Sequence, residues 1–229
     1  MAIIGGANLK VTGSHAGVTL AADGPSQMSL PDVAFFRSFT HVKNFNGQPA
    51  VRYFFPADAI SAYKITELMA NIDGACYLRT LRAETKILYK PEETFEVGGF
   101  KVLREGKDVV FVAAGYMVHE CLKAADELAK GGIKIRLIDA YSVKPLDASG
   151  IAKAVRATGG RLVIVEDHWP EGALGDAVVS GLVAIGVKDI ALRHLAVHDM
   201  PTSGKPAELI EAAGIGARDI AAAVRALLA

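Results

Sequence analysis

The sequence has few cysteines, few aromatic residues and no excess of charge of either sign. Its 229 residues include two cysteines and 7% aromatic residues, and 25 basic residues balance 25 acidic ones. Zero net charge does not favour nucleic acid or an anionic membrane surface as a partner. No run of about twenty apolar residues suits a membrane span, and residues 1–10 lack the pattern of a secretory signal.

The two cysteines, Cys76 and Cys121, lie in apolar surroundings. We therefore expect two buried thiols rather than a disulfide, which suits a reducing, cytoplasmic location. No cluster of cysteine and histidine has zinc spacing. With 51% hydrophobic residues the chain can build a substantial core in one or two domains.

The second half of the chain alternates strand and helix patterns. Short apolar runs predict strands, and apolar residues at helical spacing predict helices. The predicted strands are residues 101–104, 109–113, 133–138, 161–165 and 190–197. The predicted helices are residues 117–130, 147–157 (capped by Asp147), 172–185, 206–213 and 217–228. This alternation predicts an α/β fold with a mostly parallel sheet.

The first half is less regular. It predicts strands at residues 9–12, 51–54 and 76–79, and helices at residues 30–37 and 57–71. A polar, proline-containing segment at residues 89–95 breaks the apolar pattern and indicates a linker. We therefore expect two α/β domains, residues 1–92 and 93–229, each with a mostly parallel sheet flanked by helices.

A polar, glycine-rich stretch follows the first predicted strand, at residues 13–27. His15, Asp23 and Gln27 lie there among glycines, which let the backbone take positive φ and approach a ligand closely. Polar loops after apolar strands often carry binding and catalytic residues. Asp-Gly-Pro-Ser is also ordinary turn chemistry, so the residues alone leave a solvated surface turn open.

The amino-acid sequence of this stretch resembles that of transketolase. Gly-Ser-His-Ala-Gly, followed by Asp-Gly-Pro-Ser-Gln, is similar to that family's pyrimidine-binding domain. Further collinear matches are Ala-Phe-Phe-Arg-Ser (34–38), Phe-Pro-Ala-Asp (55–58), Arg-Thr-Leu-Arg (79–82), Val-Glu-Asp-His (165–168) and Ser-Gly-Lys-Pro-Ala-Glu-Leu (203–209). The resemblance covers nearly the whole chain and implies part of the pyrimidine-binding domain followed by the transketolase carboxyl-terminal domain.

The resemblance implies a site for sugar phosphates. Arg82 would clamp the phosphate, because a guanidinium presents a planar fork of donors. His15 would hold the phosphate or a nearby hydroxyl, Asp23 would accept a hydrogen bond from the substrate's C2 hydroxyl, and Gln27 would bind its first hydroxyl or carbonyl oxygen. From the residues alone, Arg82 could instead pair with Glu84, Asp23 could form an Asx turn, and His15 could be structural.

Transketolase moves a two-carbon ketol unit between sugar phosphates with thiamine diphosphate and Mg²⁺. The family's cofactor-activating glutamate and its diphosphate-binding domain have no counterpart here, and Gly-Asp-Gly followed by Asn-Asn is absent. The resemblance therefore assigns no cofactor- or metal-binding residue to this chain. It implies a partner, an amino-terminal transketolase subunit or segment, in a homodimer or heterotetramer.

Two other functions stay open at this point. One is a non-catalytic dimerisation or interaction module derived from a thiamine-diphosphate enzyme. The other is a protein like the β-subunit of a 2-oxoacid dehydrogenase, or a deoxyxylulose phosphate synthase, which share these two domains. Gln27 and the Arg-Thr-Leu-Arg segment fit transketolase better.

Three further segments carry weaker predictions. The triplet Glu-Asp-His at residues 166–168 is expected to form a structural network near the domain and dimer contacts. Residues 172–175 open a predicted helix and could bind an anion. Residues 39–52 form a longer loop than the family usually has; His41, Lys43 and Arg52 there could touch a partner or reshape the substrate channel. Ala22 replaces an acidic residue that usually precedes the aspartate.

Overall fold

The computed structural model describes residues 1–39, 42–45, 47–82 and 84–229, which fold into two sheets flanked by helices. The strands are β1 (Lys10–Gly13), β2 (Val51–Phe54), β3 (Ala75–Arg79), β4 (Lys101–Arg104), β5 (Val109–Ala113), β6 (Ile135–Asp139), β7 (Ser142–Lys144), β8 (Arg161–Val165) and β9 (Ala191–Leu195). The α-helices are α1 (Asp32–Arg37), α2 (Ala59–Ala70), α3 (Met117–Lys130), α4 (Ala148–Ala157), α5 (Leu174–Ala184), α6 (Pro206–Ala212) and α7 (Ala217–Leu228).

Both sheets are mostly parallel, which confirms the predicted fold class. The first has the strand order β1-β3-β2-β7 and the second β4-β6-β5-β8-β9. In each sheet one edge strand is antiparallel to its neighbour, β7 beside β2 and β4 beside β6. The remaining pairings are parallel, so the carboxyl ends of β1, β2 and β3 share one edge.

The central strand β5 shows why the second sheet is covered on both sides. All five of its residues are buried. Val109, Phe111 and Ala113 pack with residues of α3 and α7, whereas Val110 and Val112 pack with residues of α4 and α5. Successive side chains of a strand point to opposite faces, so a continuous apolar run is the sequence pattern of such a strand.

Helix starts are fixed by side-chain caps at two aspartates. Asp147 Oδ1 accepts a hydrogen bond from the Gly150 amide at 2.8 Å, as predicted for the start of α4. Asp58 accepts from the Ser61 amide at 2.7 Å, and the Ser61 hydroxyl lies 3.0 Å from the Asp58 amide, which completes a capping box. A cap of this type stabilises a helix by about 1 kcal/mol.

The structure corrects the sequence predictions at several boundaries. The predicted strand at 133–138 lies at Ile135–Asp139, and the helix predicted at 172–185 begins at Leu174. Strand β7 was missed altogether. It lies beyond residue 92 in the chain yet pairs with β2 of the first sheet. The division into domains at 92/93 therefore stays a prediction.

The two cysteines are buried and free, which confirms the expected pair of thiols. Burial raises the pKa of Cys121, and also that of Cys76. Within the part of the chain that the structure describes, no helix combines the length and apolar character needed to cross a membrane.

Candidate functional site

Three chain segments meet at the carboxyl edge of the first sheet. The Ala16 amide, after β1, donates to the Thr80 carbonyl after β3 at 3.2 Å, and the Thr80 amide donates to the Gly13 carbonyl at 2.8 Å. The Val18 amide donates to the Asp167 carbonyl, which follows β8, at 3.3 Å. Ligands of open α/β sheets commonly bind outside the carboxyl ends of the strands. The glycine-rich stretch is therefore fixed where a site is expected.

This stretch is a folded element rather than an open loop, with 3-10 turns at Val18–Asp23 and Pro25–Gln27. Of the four non-glycine residues with positive φ among the described residues, two lie in this stretch, His15 at 65° and Ala21 at 69°, and a third, Ser29 at 48°, follows two residues after it. Such conformations cost about 1–3 kcal/mol each and often mark functional sites.

Gly17 shows why glycine is needed in this stretch. Its φ is 86°, and a Cβ atom there would lie 1.9 Å from Oδ2 of the buried Asp167. Any side chain would displace that carboxylate. The backbone at residue 17 can approach the second sheet only because residue 17 has no side chain.

Arg82 and Asp23 lie together at this edge although 59 positions separate them along the chain. The Arg82 guanidinium donates to Asp23 Oδ1 at 2.9 Å, and the two side chains are 48% and 47% exposed. The residues follow β3 and β1, which are neighbouring parallel strands. The sequence alone had left a pair between Arg82 and Glu84 open. The structure instead pairs Arg82 with Asp23.

His15 and Gln27 lie in the same stretch but are both exposed. His15 Nδ1 lies 2.9 Å from the Ser14 hydroxyl. Among the described residues, neither His15 nor Gln27 makes a hydrogen bond to Arg82 or Asp23. The structure therefore brings two of the four predicted site residues into contact and leaves the other two on the nearby surface.

Arg79 forms a buried ionic centre beneath the stretch. It is fully buried; its Nε lies 3.0 Å from Asp32 Oδ2 and an Nη lies 2.7 Å from Asp167 Oδ1. Its guanidinium also stacks over the Phe55 ring at 4.4 Å. Although burial by itself lowers the pKa of Arg79, the charges of Asp167 and Asp32 raise it, so the guanidinium stays charged.

Two tyrosines complete this centre, Tyr53 from β2 and Tyr77 from β3. The hydroxyls of Tyr53 and Tyr77 donate to Asp32 Oδ2 at 3.4 and 3.2 Å. Arg79 lies in β3, so its ion pair with Asp32 links β3 to α1. Its ion pair with Asp167 links β3 to the segment after β8. The sequence analysis missed Asp32, because an acidic residue in the first turn of a helix is common for local reasons.

The Glu-Asp-His triplet is buried and forms the expected structural network, whereas its place near a dimer contact stays a prediction. Glu166 accepts from the Leu174 amide at 2.8 Å and contacts the His194 ring. Burial and the nearby charge of Arg79 lower the pKa of His168 well below its usual value, so this imidazole is neutral at neutral pH. Burial raises the pKa of Asp167 even beside Arg79.

The predicted anion site at residues 172–175 is wrong. The Leu174 and Gly175 amides at the start of α5 donate to the Glu166 carboxylate, and the Gly172 amide donates to Asp176 at 2.6 Å. The positive end of this helix is thus occupied by carboxylates of the chain itself. An external anion would have to displace a buried carboxylate.

No group of three or more histidine, cysteine or carboxylate side chains among the described residues could hold a metal ion. A cavity of about 360 Å³ lies between the segment after β3 and the start of α2, lined in part by Asp58, Thr80 and Glu84. Its volume is near the lower end of the range for small-molecule sites, about 300–1,000 Å³.

The segment at residues 39–52 proves to be only partly a loop. Arg52 lies in β2, is buried, and donates to the Asp73 carbonyl at 2.8 Å, so it does not face a partner or a channel. Lys43 forms an isolated antiparallel bridge with Pro49. His41 lies outside the described residues.

Comparison with known proteins gives consistent matches along the chain. Residues 98–220 match the family model "Transketolase, C-terminal domain". The chain is 46% identical over 224 residues to transketolase-like protein 1 of Bos taurus, covering 96% of this chain and 36% of that protein. It is 45% identical to human transketolase, covering 100% of this chain and 35% of that protein.

A solved structure matches at a TM-score of 0.85 with 34% sequence identity. The match covers 97% of this chain and 67% of the chain in that structure. It is described as a split-gene transketolase in an inactive β4 tetramer. The chain thus spans about a third of the length of these curated relatives.

Proposed function

This chain belongs to the transketolase family, and from that premise we propose that it is the carboxyl-terminal portion or subunit of a transketolase. It takes part in transfer of a two-carbon ketol unit between sugar phosphates. The observation that carries the proposal is the Arg82–Asp23 pair at the carboxyl edge of the first sheet.

Thiamine diphosphate and Mg²⁺ do not fit the residues of this chain alone. The described residues contain no cluster of metal ligands, and the amides at the start of α5 already bind Glu166. We therefore assign both groups to a partner polypeptide that carries the diphosphate-binding domain. The split-gene relative, whose β4 tetramer is inactive, supports a requirement for such a partner.

Arg82 binds the phosphate of the substrate in this proposal. Its ion pair with Asp23 is about half exposed, and exposed pairs contribute about 0–1 kcal/mol. A phosphate offers two oxygens to the guanidinium fork and more negative charge than one carboxylate. Opening the pair is therefore a small loss against the gain of a charge-assisted, two-point contact.

Opening this pair also explains how one substrate can use both residues. In direct contact, Arg82 and Asp23 cannot hold opposite ends of an extended sugar phosphate. Once phosphate takes the guanidinium, Asp23 is released to accept a hydrogen bond from a sugar hydroxyl. His15 and Gln27, exposed on the same stretch, supply further donors and acceptors along the sugar.

Calorimetric titration with ribose 5-phosphate tests the phosphate clamp. Arg82→Met removes the fork and is expected to weaken binding by about 10–100-fold, since a hydrogen bond to a charged group contributes about 1.5–3 kcal/mol. Arg225→Met is the matched control, because Arg225 also makes a half-exposed ion pair, with Glu127 at 2.6 Å. Equal binding by the two variants would remove Arg82 from the site.

The role of Asp23 is tested separately with two ligands. Asp23→Asn frees Arg82 from its carboxylate competitor but impairs the acceptor for a sugar hydroxyl. Inorganic phosphate, which has no sugar, should bind this variant at least as well as the wild type, whereas ribose 5-phosphate should bind it less well. If both ligands weaken together, Asp23 acts only by holding the fold.

Activity is tested by reconstitution. The chain is mixed with an amino-terminal transketolase polypeptide, thiamine diphosphate and Mg²⁺, and ketol transfer is followed with a ketose phosphate donor. We expect activity only in the mixture, and loss of activity with Arg82→Met. Absence of transfer with every compatible partner would contradict the catalytic proposal.

A second candidate function is a dimerisation or interaction module without catalysis. The inactive β4 tetramer of the split-gene relative favours it. This function predicts a stable oligomer by analytical ultracentrifugation together with no binding of sugar phosphate. Binding that depends on Arg82 would exclude it as the whole function.

A further inference from the structure

The carboxyl ends of β5 and β8 form the place in the second sheet where a ligand would be expected. These two strands are neighbours, and the helices that follow them lie on opposite faces of the sheet, α3 with α7 on one face and α5 with α4 on the other. Such a switch point leaves a crevice between the strand ends, and ligands of open α/β sheets commonly bind there.

Residues from the first sheet fill this crevice. The Phe55 ring, after β2, lies against Gly115, after β5, where a Cβ atom would be 2.1 Å from the ring. An Nη of Arg79, at the end of β3, lies 2.7 Å from Asp167 Oδ1, after β8, and both side chains are fully buried. The ligand position of the second sheet is therefore occupied by the chain itself.

Asp167 also supports the base of the glycine-rich stretch. The Val18 amide donates to the Asp167 carbonyl at 3.3 Å, and Asp167 Oδ2 lies so close to Gly17 that a Cβ atom there would be 1.9 Å away. The Gly17 amide donates to the Met28 carbonyl at 2.7 Å, which closes the stretch into a loop. The closed loop thus rests on Asp167 at its base.

The contacts of Asp167 lead to both residues of the exposed ion pair. On one side is Arg79, the last residue of β3, and Arg82 follows it three positions later. On the other side is Val18, which begins the 3-10 turn that ends at Asp23. Asp167 therefore joins the starting points of the two segments whose ends meet in the Arg82–Asp23 pair.

We propose that Asp167 is a positioning residue for the proposed ketol transfer: it fixes where the backbone of Asp23 lies relative to that of Arg82, without touching the substrate. This inference rests on the function proposed above. An extended sugar phosphate must reach both residues, so its affinity depends on their relative placement, whereas inorganic phosphate needs Arg82 alone. The second sheet in this way sets the preference for a phosphorylated sugar over phosphate.

Calorimetric titration of the whole chain with ribose 5-phosphate and with inorganic phosphate tests this role. Asp167→Asn keeps the size of the side chain but removes the charge that holds it on Arg79. It should weaken binding of ribose 5-phosphate by about 5-fold or more and change that of inorganic phosphate by less than about 2-fold. A merely structural role would change both affinities together or neither, so the readout is their ratio, measured after circular dichroism has shown that the variant is folded.

A second variant perturbs the same contact from its other side. Gly17→Ala places a Cβ atom on the Asp167 carboxylate and keeps every charge, so it should shift the ratio in the same direction. Asp32→Asn is the matched control. The Asp32 carboxylate also pairs with Arg79, at 3.0 Å, but within the described part of the chain it makes no hydrogen bond to the glycine-rich stretch, so the ratio should stay within about 2-fold of the wild type.

The outcomes separate this inference from the proposed function. Absence of ribose 5-phosphate binding by the wild type contradicts both. Binding by the wild type with an unchanged ratio in Asp167→Asn overturns the positioning role alone, as does an equal shift in Asp32→Asn. Where Asp167→Asn does not fold, Gly17→Ala decides in its place; if neither variant folds, the contact serves the fold rather than the site and the positioning role is overturned.

Discussion

Replacing Arg79 by methionine tests the buried ionic centre most directly. The substitution keeps an unbranched side chain but removes the guanidinium from between Asp32 and Asp167, which are 6% and 0% exposed. Removing one partner of a buried ion pair costs about 3–5 kcal/mol, because it leaves a buried charge uncompensated. Here a single change leaves two carboxylates without their cation.

Loss of the contact with Phe55 adds to this effect. A desolvated cation–π contact contributes about 2 kcal/mol, so the free energy of unfolding should fall by at least about 4 kcal/mol at pH 7. With a urea m value of about 2 kcal/mol per molar, the midpoint of unfolding should fall by about 2 M. Urea denaturation followed by circular dichroism measures it.

Two comparisons make the result specific. The triple variant Arg79→Met, Asp32→Asn, Asp167→Asn removes all three charges and should recover more than half of the loss. In Arg79→Met alone, protonation of the two orphaned carboxyls in acid removes their uncompensated buried charge, so the loss of stability should become smaller as the pH falls.

The reasoning is refuted by either of two results. One is a loss of less than 1 kcal/mol in Arg79→Met. The other is a triple variant no more stable than the single one, which would show that packing rather than uncompensated charge sets the loss. Arg225→Met, at an exposed pair, should stay within about 0.5 kcal/mol of the wild type.

Three further predictions concern buried titratable groups. Burial raises the pKa of Asp139 to about 7, although the Tyr89 hydroxyl donates to its carboxylate at 2.6 Å. The free energy of unfolding should therefore decrease as the pH rises from about 4 to 7, and Asp139→Asn should flatten that part of a pH–stability profile. Burial by itself lowers the pKa of His194 but the Glu166 carboxylate raises it overall, so Glu166→Gln should lower the imidazole pKa in an NMR titration. Burial raises the pKa of the Cys121 thiol, so it should react with a disulfide reagent only as fast as the chain unfolds; rapid labelling of the native protein would contradict its burial.

Local patterns predicted most of the second sheet. The apolar runs at Val109–Ala113 and Arg161–Val165 and the helical spacing at Met117–Lys130 are strong because these elements are buried along a face or on both faces. Strand β7 was missed because Ser142–Lys144 is too short to show a period. Its pairing with β2 depends on how the two sheets pack, which no local pattern encodes.

The candidate site was predictable as a set of residues but not as an arrangement. The glycine-rich stretch and the Arg-Thr-Leu-Arg segment could be recognised in the sequence, and the family followed from them. The contact between Arg82 and Asp23 arises because β1 and β3 are neighbours. A different contact, that of α5 with β8, places the amides of the predicted anion site at residues 172–175 against Glu166.

The sequence by itself determined the strand and helix alternation, the family and the chemical groups available to a site, since these depend on residue type and order. Tertiary structure alone decided which charges are compensated. Arg79 and Arg82 lie three positions apart, yet one is buried between two carboxylates and the other is half exposed beside one. Lys144 is buried, and its ammonium has no hydrogen-bond partner within the described part of the chain. The reason is that the free energy of a charge depends on its solvent and its neighbours, which only the folded chain brings together.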